Sequence, residues 1–213
     1  MKQIDLSTWN RRKHFAYFNS LDYPPYNLTA NVDITALHGF AKAQAWSLFR
    51  CTMYITCRAA NEIEAFRQRV REGQVVQHEA VHPSYTSMTK AQVFSFTEAD
   101  YHPDPQVFFA NCDAGEAAVA EEAMIADDQH RDDYLFLTSI PWVHFTSFVH
   151  PVHISGVDSV PRISWGKYLW IQDRLQLPLS MQAHHALVDG WHMGQFFQKV
   201  EEMAAKPGDY LAG

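Results

Sequence analysis

One short segment near the C-terminus constrains the fold most strongly, because it joins an apolar run to a helical pattern through polar side chains. The apolar run Leu177–Leu179 leads towards the adjacent pair His184 and His185, and Asp189-Gly190 follows the pair closely. Asp-Gly is a turn signal, and a helical pattern resumes at Trp191. The sequence therefore predicts a junction between a strand and a helix that gathers imidazole and carboxylate groups.

The chemistry of this junction is open to three interpretations. Imidazole is the usual general base for a hydroxyl or a thiol, and a nearby carboxylate often fixes its tautomer. A zinc site is the second interpretation, but adjacent histidines on a strand point apart, so His184 and His185 do not easily share a metal ion. The third is a surface loop, because a chain with 12 histidines gathers some of them by chance.

The size of the chain favours a single domain over residues 1–213. Its 213 residues are 47% hydrophobic, which is enough for one sizeable core. No repeat, linker or low-complexity segment divides the sequence, so we expect one domain.

Charge and cysteine content disfavour several classes of protein. The formal net charge of −7 argues against a nucleic-acid surface. The three cysteines are an odd count, which argues against a disulfide framework and fits a reducing compartment. The N-terminus is polar, and no window is apolar enough to span a bilayer. We expect a cytoplasmic protein that binds neither nucleic acid nor membrane.

Hydrophobic periodicity predicts helices and strands in mixed order. Helices are predicted over Trp9–Phe18, Leu37–Val70 in two pieces, Val107–Ile125 and Trp191–Ala204. Strands are predicted over Asn27–Ile34, Val75–Val81, Tyr85–Phe96, Leu135–Ile140, Val143–Val149, Ile163–Ile171 and Leu175–His184. Loops are predicted over Asp127–Asp133 and Ile154–Pro161. The mixed order indicates an α+β fold, in which helices cover one mixed β-sheet as a two-layer sandwich.

A second segment, Pro141–Phe148, narrows the functional interpretation, since it reads Pro-Trp-Val-His-Phe-Thr-Ser-Phe. Together with the His-His-x-x-x-Asp-Gly pattern of residues 184–190, it resembles the chloramphenicol acetyltransferase family of CoA-dependent acyltransferases. Further segments match in that family's order along nearly the whole chain: Trp9–Phe15, Val32–Thr35, Val81–Thr86 and Ser164–Tyr168. The chain is therefore identified as a member of this family.

The resemblance implies a reaction and an assembly. Acetyl passes from the co-substrate acetyl-CoA directly to a hydroxyl of chloramphenicol, an antibiotic, without a metal and without an acyl-enzyme. The family also forms homotrimers with active sites at the subunit interfaces. One unit of this size supplies one side of a tunnel, so a second copy has to supply the other, and cyclic symmetry generates identical sites.

The resemblance assigns roles in this reaction to particular residues. His185 matches the family's general base, and Ser147 matches the serine that donates a hydrogen bond to the oxyanion. Ser164 stands where the family has a threonine that assists the site through water. Asp189 matches a structural aspartate that pairs with an arginine near the N-terminus, and Arg11 is the candidate for that arginine.

Three residues of the histidine motif are expected to support the site rather than to react. Gly190 is expected to allow a close turn after the aspartate. His184 is expected to be a packed neighbour of the base, and His192 to be a structural residue at the start of the final helix.

The resemblance also implies where the substrates bind. Phe18, Phe94 and Phe96 match positions beside the acceptor, whereas Lys167 and Tyr168 match positions near the CoA side of the tunnel. A lysine is suited to a phosphate, although a solvated strand residue explains Lys167 equally well. A small residue is common at the position of Phe96, so the large side chain there is expected to narrow the acceptor pocket and to shift selectivity.

The acceptor is less determined than the chemistry, because the chain departs from the family pattern on that side. Where the family has Phe-x-Leu-Asn-Val after the serine, this chain has Phe-Val-His-Pro-Val at residues 148–152. Another small alcohol or amine is therefore an alternative acceptor. A thiol acceptor, as in dihydrolipoyl acyltransferases, is disfavoured because that family follows its first histidine with arginine. An inactive CoA-binding protein is disfavoured by the intact set of His185, Ser147 and Asp189.

Overall fold

Helices and strands follow one another in mixed order along the chain. The computed structural model describes residues 1–125, 131–153 and 158–212. Its helices are α1 (Arg12–Phe18), α2 (Thr35–Ala43), α3 (Leu48–Asn61), α4 (Pro105–Ala118), α5 (Gly190–Ala205) and α6 (Pro207–Leu211), with a 3₁₀ turn at Glu64–Arg67. Its strands are β1 (Lys2–Gln3), β2 (Pro25–Asp33), β3 (Gln68–Arg71), β4 (Gln74–Gln77), β5 (His82–Met88), β6 (Phe94–Glu98), β7 (Tyr134–Ile140), β8 (Arg162–Gly166), β9 (Leu169–Ile171) and β10 (Arg174–His184).

The main sheet is mixed, which confirms the α+β prediction. Its strands lie in the order β2-β10-β8-β7-β5-β6, and β9 pairs with β10. The long strand β10 is antiparallel to β2, β8 and β9, whereas β5, β7 and β8 run parallel to one another. Strands β1, β4 and β3 form a small separate sheet.

The two faces of the main sheet differ in chemistry, because side chains alternate along each strand. Leu179 and Met181 of β10 and Ile163 of β8 belong to the buried core that also contains residues of α3 and α5. The intervening residues Ser180 of β10 and Ser164 of β8, which pair across the sheet, face the other way. We call that side the polar face of the sheet.

The predicted helix over Leu37–Val70 is wrong at its C-terminal end. Helix α3 ends at Asn61, whose side chain accepts a hydrogen bond from the backbone N–H of Val81 at 2.8 Å and donates to the carbonyl of the same residue at 2.9 Å. Val70 lies in β3, where it pairs with Val75 of β4. Pairing of β3 with β4 in a tight hairpin has overridden the helical pattern in this stretch.

Two predicted elements proved too long. The predicted strand Tyr85–Phe96 is a hairpin of β5 and β6, in which Thr86 pairs with Phe96. The turn between the two strands places Gln92 at a φ of 61°. The predicted helix Val107–Ile125 ends at Ala118 as α4.

The predicted strand Val143–Val149 is wrong, because the described structure has no strand there. This segment lies against the sheet without joining its ladder, and its hydrogen bonds go to single backbone groups and side chains. The predicted loops over Asp127–Asp133 and Ile154–Pro161 lie partly outside the described residues.

The C-terminal junction agrees with its prediction. Strand β10 ends at His184, and α5 begins at Gly190 with Asp189 as its N-cap. The cysteines Cys51, Cys57 and Cys112 are buried free thiols. Within the described residues, no helix has the length and apolar character needed to cross a membrane.

Candidate active site

The ring of His185 is held in one tautomer by the backbone. Its Nδ1 lies 2.9 Å from the carbonyl oxygen of Val188, which is an acceptor only. Nδ1 therefore carries the proton and donates it to this carbonyl. The other ring nitrogen, Nε2, is left with a free lone pair, as a general base requires.

Two aromatic rings fix the plane of this imidazole. Phe18 stacks on one side with ring centroids 3.8 Å apart, and Tyr26 stacks at 4.6 Å. The backbone N–H of His185 also donates to the carbonyl of Pro24 at 2.9 Å. The half-buried ring has little freedom to turn, so its Nε2 has a defined direction.

Asp189 connects the motif to the N-terminal region. One carboxylate oxygen lies 2.5 Å from Nη1 of Arg11, and the other accepts from the backbone N–H of Trp191 at 3.0 Å. Nδ1 of His192 lies 2.8 Å from the same second oxygen, to which it donates because the carboxylate is an acceptor only. Asp189 therefore caps α5 and ties the junction to the segment before α1.

The charge of Asp189 is stabilised by its partners. Burial opposes this charge, but the hydrogen bond and the charge of Arg11, followed by those of His192, lower the pKa of Asp189 to about 2. The two other guanidinium nitrogens of Arg11, Nε and Nη2, are buried without a hydrogen-bond partner among the described residues. The pair is thus partly buried, with side-chain exposures of 16% for Arg11 and 29% for Asp189.

The reason expected for glycine at position 190 is not found. Gly190 does not have a positive φ, and a Cβ built there meets its nearest neighbour, Oη of Tyr26, at an ordinary 3.6 Å. Neither backbone conformation nor close packing therefore requires glycine at this position.

His184 is a packed neighbour of the base, as expected. It is 5% exposed, and its Nδ1 accepts a hydrogen bond from the backbone N–H of Ala186 at 3.3 Å. Burial lowers the pKa of His184 to about 4, and the neighbouring His185 contributes in the same direction.

Ser147 lies in an irregular segment on the polar face of the sheet. Its side chain is exposed, and no hydrogen bond holds its hydroxyl among the described residues. On the N-terminal side of Ser147, the segment packs closely on Gly166. A Cβ atom built on this glycine lies only 2.6 Å from the carbonyl oxygen of Val143. On the other side, the carbonyl of Phe148 accepts from the Ser180 hydroxyl at 3.1 Å. The position of Ser147 is thus set by its neighbours in the chain.

His150, which the sequence analysis did not single out as a site residue, contacts Ser164. Its Nε2 lies 2.5 Å from the Ser164 hydroxyl, which is completely buried. Its backbone N–H donates to the side-chain carbonyl of Gln182 at 2.9 Å. Burial, followed by the charge of Arg162, lowers the pKa of His150 to about 4. The departure from the family pattern at this position was the available signal for its importance.

The expected site residues, together with Tyr26 and His150, fall into two groups within one chain. The base half-site consists of His185, Phe18, Tyr26, Arg11 and Asp189. The serine half-site consists of Ser147, His150, Ser164, Phe94 and Phe96.

Strand β10 separates these two groups. Phe148, next to Ser147, is anchored at Ser180, whereas His185 comes five residues later along the same chain. Five residues of extended strand span about 16 Å, which is several times the length of a hydrogen bond. No hydrogen bond joins Ser147 to His185 among the described residues.

The three phenylalanines expected beside the acceptor divide in the same way. Phe18 stacks on His185, whereas Phe96 lines a cavity of about 200 Å³ on the serine side. His150, Thr138 and Arg162 also line this cavity. Phe94 is half exposed, and its ring centroid lies 6.0 Å from that of Phe96.

Lys167 and Tyr168, expected on the CoA side, border another cleft. This cleft has a volume of about 320 Å³ and also contains Phe49 and Trp165. The backbone N–H of Lys167 donates to Val143 at 2.8 Å, and its side chain is exposed. Among the described residues, no cluster of histidine, cysteine, aspartate or glutamate has the composition of a metal site.

Comparison with known proteins identifies relatives along the full length of the chain. The family described as chloramphenicol acetyltransferase matches residues 1–201. A chloramphenicol acetyltransferase of Klebsiella sp is 30% identical over 202 residues, which cover 93% of this chain and 91% of that protein. One from Bacillus pumilus is 30% identical over 212 residues, which cover 99% of this chain and 96% of that protein.

Solved structures support the same assignment. A chloramphenicol acetyltransferase superimposes with a TM-score of 0.88 at 26% identity, covering 95% of this chain and all of the other. A dihydrolipoamide acetyltransferase from Azotobacter vinelandii superimposes with a TM-score of 0.66 at 17% identity, over 93% of this chain and 88% of the other. The second similarity shows the fold alone.

Proposed function

The chain belongs to the chloramphenicol acetyltransferase family, and we propose that it transfers acetyl from acetyl-CoA to a hydroxyl of chloramphenicol. The observation that carries this proposal is the geometry of His185. Its Nδ1 proton is bound to the Val188 carbonyl, so Nε2 is the nitrogen available to a substrate hydroxyl. A family match alone identifies the class of acyltransferase, whereas this geometry supplies the base that the reaction needs.

The base acts on the acceptor. Nε2 of His185 takes the proton of the hydroxyl as its oxygen attacks the thioester carbonyl of acetyl-CoA. A carbon–oxygen bond forms, the carbon–sulfur bond then breaks, and the proton passes to the departing thiolate of CoA. The hydrogen bond from Nδ1 to Val188 keeps the ring oriented while it carries both protons.

Ser147 stabilises the intermediate in this proposal. Attack on the carbonyl places negative charge on the oxygen, and a hydroxyl aimed at that oxygen lowers the barrier. The Ser147 hydroxyl is exposed and has no partner among the described residues, so it is available to donate such a hydrogen bond. Acetyl-CoA approaches, in this proposal, along the cleft beside Lys167 and Tyr168.

The active site is shared between copies of the chain in a homotrimer. About 16 Å of chain separates His185 from Ser180, which anchors the residue after Ser147, and this separation supports a site in which Ser147 and His185 come from different chains. A site composed of the base half-site of one subunit and the serine half-site of the next joins them. Cyclic symmetry then repeats the same contact three times.

One observation favours an alternative acceptor in place of chloramphenicol. The side chains of Phe96 and His150 both line the cavity of about 200 Å³ on the serine side, where they limit its size and add a polar group. Another small alcohol or amine is therefore the alternative acceptor, with the same base and the same acetyl donor.

We place the reaction in the cytoplasm. The thiols of three cysteines are buried and form no disulfide: Cys51, Cys57 and Cys112. Free thiols of this kind support a reducing compartment.

A thiol-release assay with acetyl-CoA tests the function directly. We expect CoA thiol to appear only when both chloramphenicol and His185 are present, with His153→Ala as the control for loss of an exposed histidine. Thiol release with other alcohols or amines but not with chloramphenicol would select the alternative acceptor. Release that persists in His185→Ala contradicts the role of the base in either case.

A further inference from the structure

We propose that His150 is a positioning residue, which holds Ser147 in place through its hydrogen bond to Ser164; this role rests on the proposed function. His150 stands where the quoted family pattern has leucine.

Among the described residues, the segment after Ser147 is attached to the sheet at three points. The carbonyl of Phe148 accepts from Ser180 at 3.1 Å, and the backbone N–H of His150 donates to Gln182 at 2.9 Å. The third attachment, between the His150 ring and Ser164, is the one made by a side chain of the segment itself. It joins the segment to β8, whereas the other two join it to β10.

This third attachment ends on a completely buried hydroxyl. The Ser164 side chain has no exposure to water, so its hydroxyl depends on a protein partner for its hydrogen bond. His150 is that partner, at 2.5 Å. Burial and the charge of Arg162 lower the pKa of His150 to about 4, so the ring is uncharged at neutral pH and remains suited to this site.

Ring packing transmits the position of His150 towards Ser147. The His150 ring meets the edge of Phe148 with centroids 4.9 Å apart, and Phe148 packs in turn on Phe145 at 5.4 Å. These two phenylalanines stand on either side of Ser147, at positions 145 and 148. Because no hydrogen bond holds the Ser147 hydroxyl among the described residues, this packing and the three attachments decide where it points.

The hydrogen bond between His150 and Ser164 also changes the role of Ser164. The resemblance gives this position a hydroxyl that assists the site through water. In this chain the hydroxyl is already bound to His150, so Ser164 supports Ser147 through the imidazole.

A double-mutant cycle tests the proposal. We expect His150→Leu to lower kcat about 10- to 100-fold while the KM for acetyl-CoA stays unchanged, because a displacement of about 1 Å at a reacting group has effects of this size. Ser147→Ala is expected to lower kcat about 100-fold in the wild-type background but less than about fivefold in the His150→Leu background. An equal effect of Ser147→Ala in both backgrounds overturns the proposal.

Two further variants keep the result interpretable. Ser164→Ala removes the same hydrogen bond with the loss of one hydroxyl, so it replaces His150→Leu in the cycle if the latter does not fold. The exposed His153 serves as a matched control, and His153→Leu is expected to leave both the rate and the cycle unchanged.

A second measurement needs no acceptor and therefore separates this proposal from the proposed function. In nitrogen-15 spectra of the labelled histidines, we expect the His150 ring to stay uncharged at pH 6 and its Nε2 signal to shift in Ser164→Ala. A ring that titrates near the ordinary value of about 6.5 and ignores Ser164→Ala overturns the role of His150. Wild-type protein without acetyl transfer to chloramphenicol contradicts the proposed acceptor and leaves this spectroscopic result standing.

Discussion

The base half-site and the serine half-site are held by different kinds of contact. His185 is oriented by a backbone carbonyl and by two stacked rings, and Asp189 caps helix α5 directly after the turn that carries it. Ser147 stands in an irregular segment that side chains attach to the sheet. The difference shows that the base is prepared by the path of the chain, whereas the position of the serine depends on a few individual side chains.

Removal of the base is expected to cause the largest loss of activity among the variants of the two half-sites. His185→Ala deletes the group that accepts the hydroxyl proton, and general bases typically contribute about 10²- to 10⁴-fold to a rate. We expect kcat/KM to fall at the upper end of that range, because the ring is fully oriented before the substrate arrives. Steady-state kinetics measures the loss, and unaltered binding of CoA shows that the tunnel is intact. A decrease of less than tenfold contradicts the role of His185.

Loss of the serine hydroxyl is expected to have the next largest effect. Ser147→Ala removes one donor to the oxyanion, which typically costs about 100- to 1000-fold in kcat. The unfolding temperature should not change, because no hydrogen bond holds this hydroxyl among the described residues. Measured kcat and thermal unfolding together test this expectation, and a variant that is destabilised but fully active contradicts it.

The same two variants also test whether the half-sites come from different subunits. Trimers assembled from an equal mixture of His185→Ala and Ser147→Ala chains contain intact sites wherever the two kinds of chain meet in the right order. Random assembly makes about one quarter of the sites intact, so about one quarter of wild-type activity should return. A mixture that remains as inactive as its components shows that both residues act within one chain.

The ion pair of the base half-site is expected to contribute an intermediate amount of stability. Asp189→Asn keeps a good N-cap for α5 but removes the charge that faces Arg11. The folded pKa of about 2 lies below the ordinary 3.8, so the charged carboxylate stabilises the fold above pH 4, and this stabilisation is lost as the pH falls towards 2. The free energy of unfolding of this variant should be lower than that of the wild type by about 2 kcal/mol at pH 7 and by a smaller amount at pH 3. Urea unfolding at both pH values measures it, and a pH-independent difference contradicts the role of charge.

The smallest expected effects come from adding a methyl group to one glycine of each half-site, and they compare the packing of the two half-sites directly. Gly166→Ala places a methyl group 2.6 Å from the Val143 carbonyl oxygen and 2.9 Å from the Phe145 ring. Because these distances are too short, we expect the serine segment to shift and the free energy of unfolding to fall by about 1–3 kcal/mol. Gly190→Ala meets nothing closer than 3.6 Å and should change stability by less than about 0.5 kcal/mol. Thermal unfolding and kcat of both variants test the contrast, which equal effects at the two positions contradict.

The sequence predicted the base half-site better than the serine half-site. The strand, the turn and the helix around His185 are consecutive in the chain, so local pattern was enough to place them. The pairing of Arg11 with Asp189 followed from the family resemblance and is present at 2.5 Å. Tyr26 was missed because its contact with His185 depends on the pairing of β2 with β10.

The serine segment shows why the remainder was harder to predict. Residues 143–149 are apolar and aromatic like a strand, yet they bind isolated groups on the sheet. The bond between His150 and Ser164 joins side chains of two segments that meet only after the sheet has formed. No periodicity within either segment contains that information.

The length and central position of β10 have a consequence for how such an enzyme can change. The strand carries the serine anchors in its middle and the base at its end, and its register with β2 and β8 fixes both at once. A slip of one residue turns every side chain to the opposite face, so the strand tolerates no gradual adjustment. New acceptor preferences are therefore expected to arise by exchange of side chains in the segment that lies over the strand, while the strand itself is inherited unaltered.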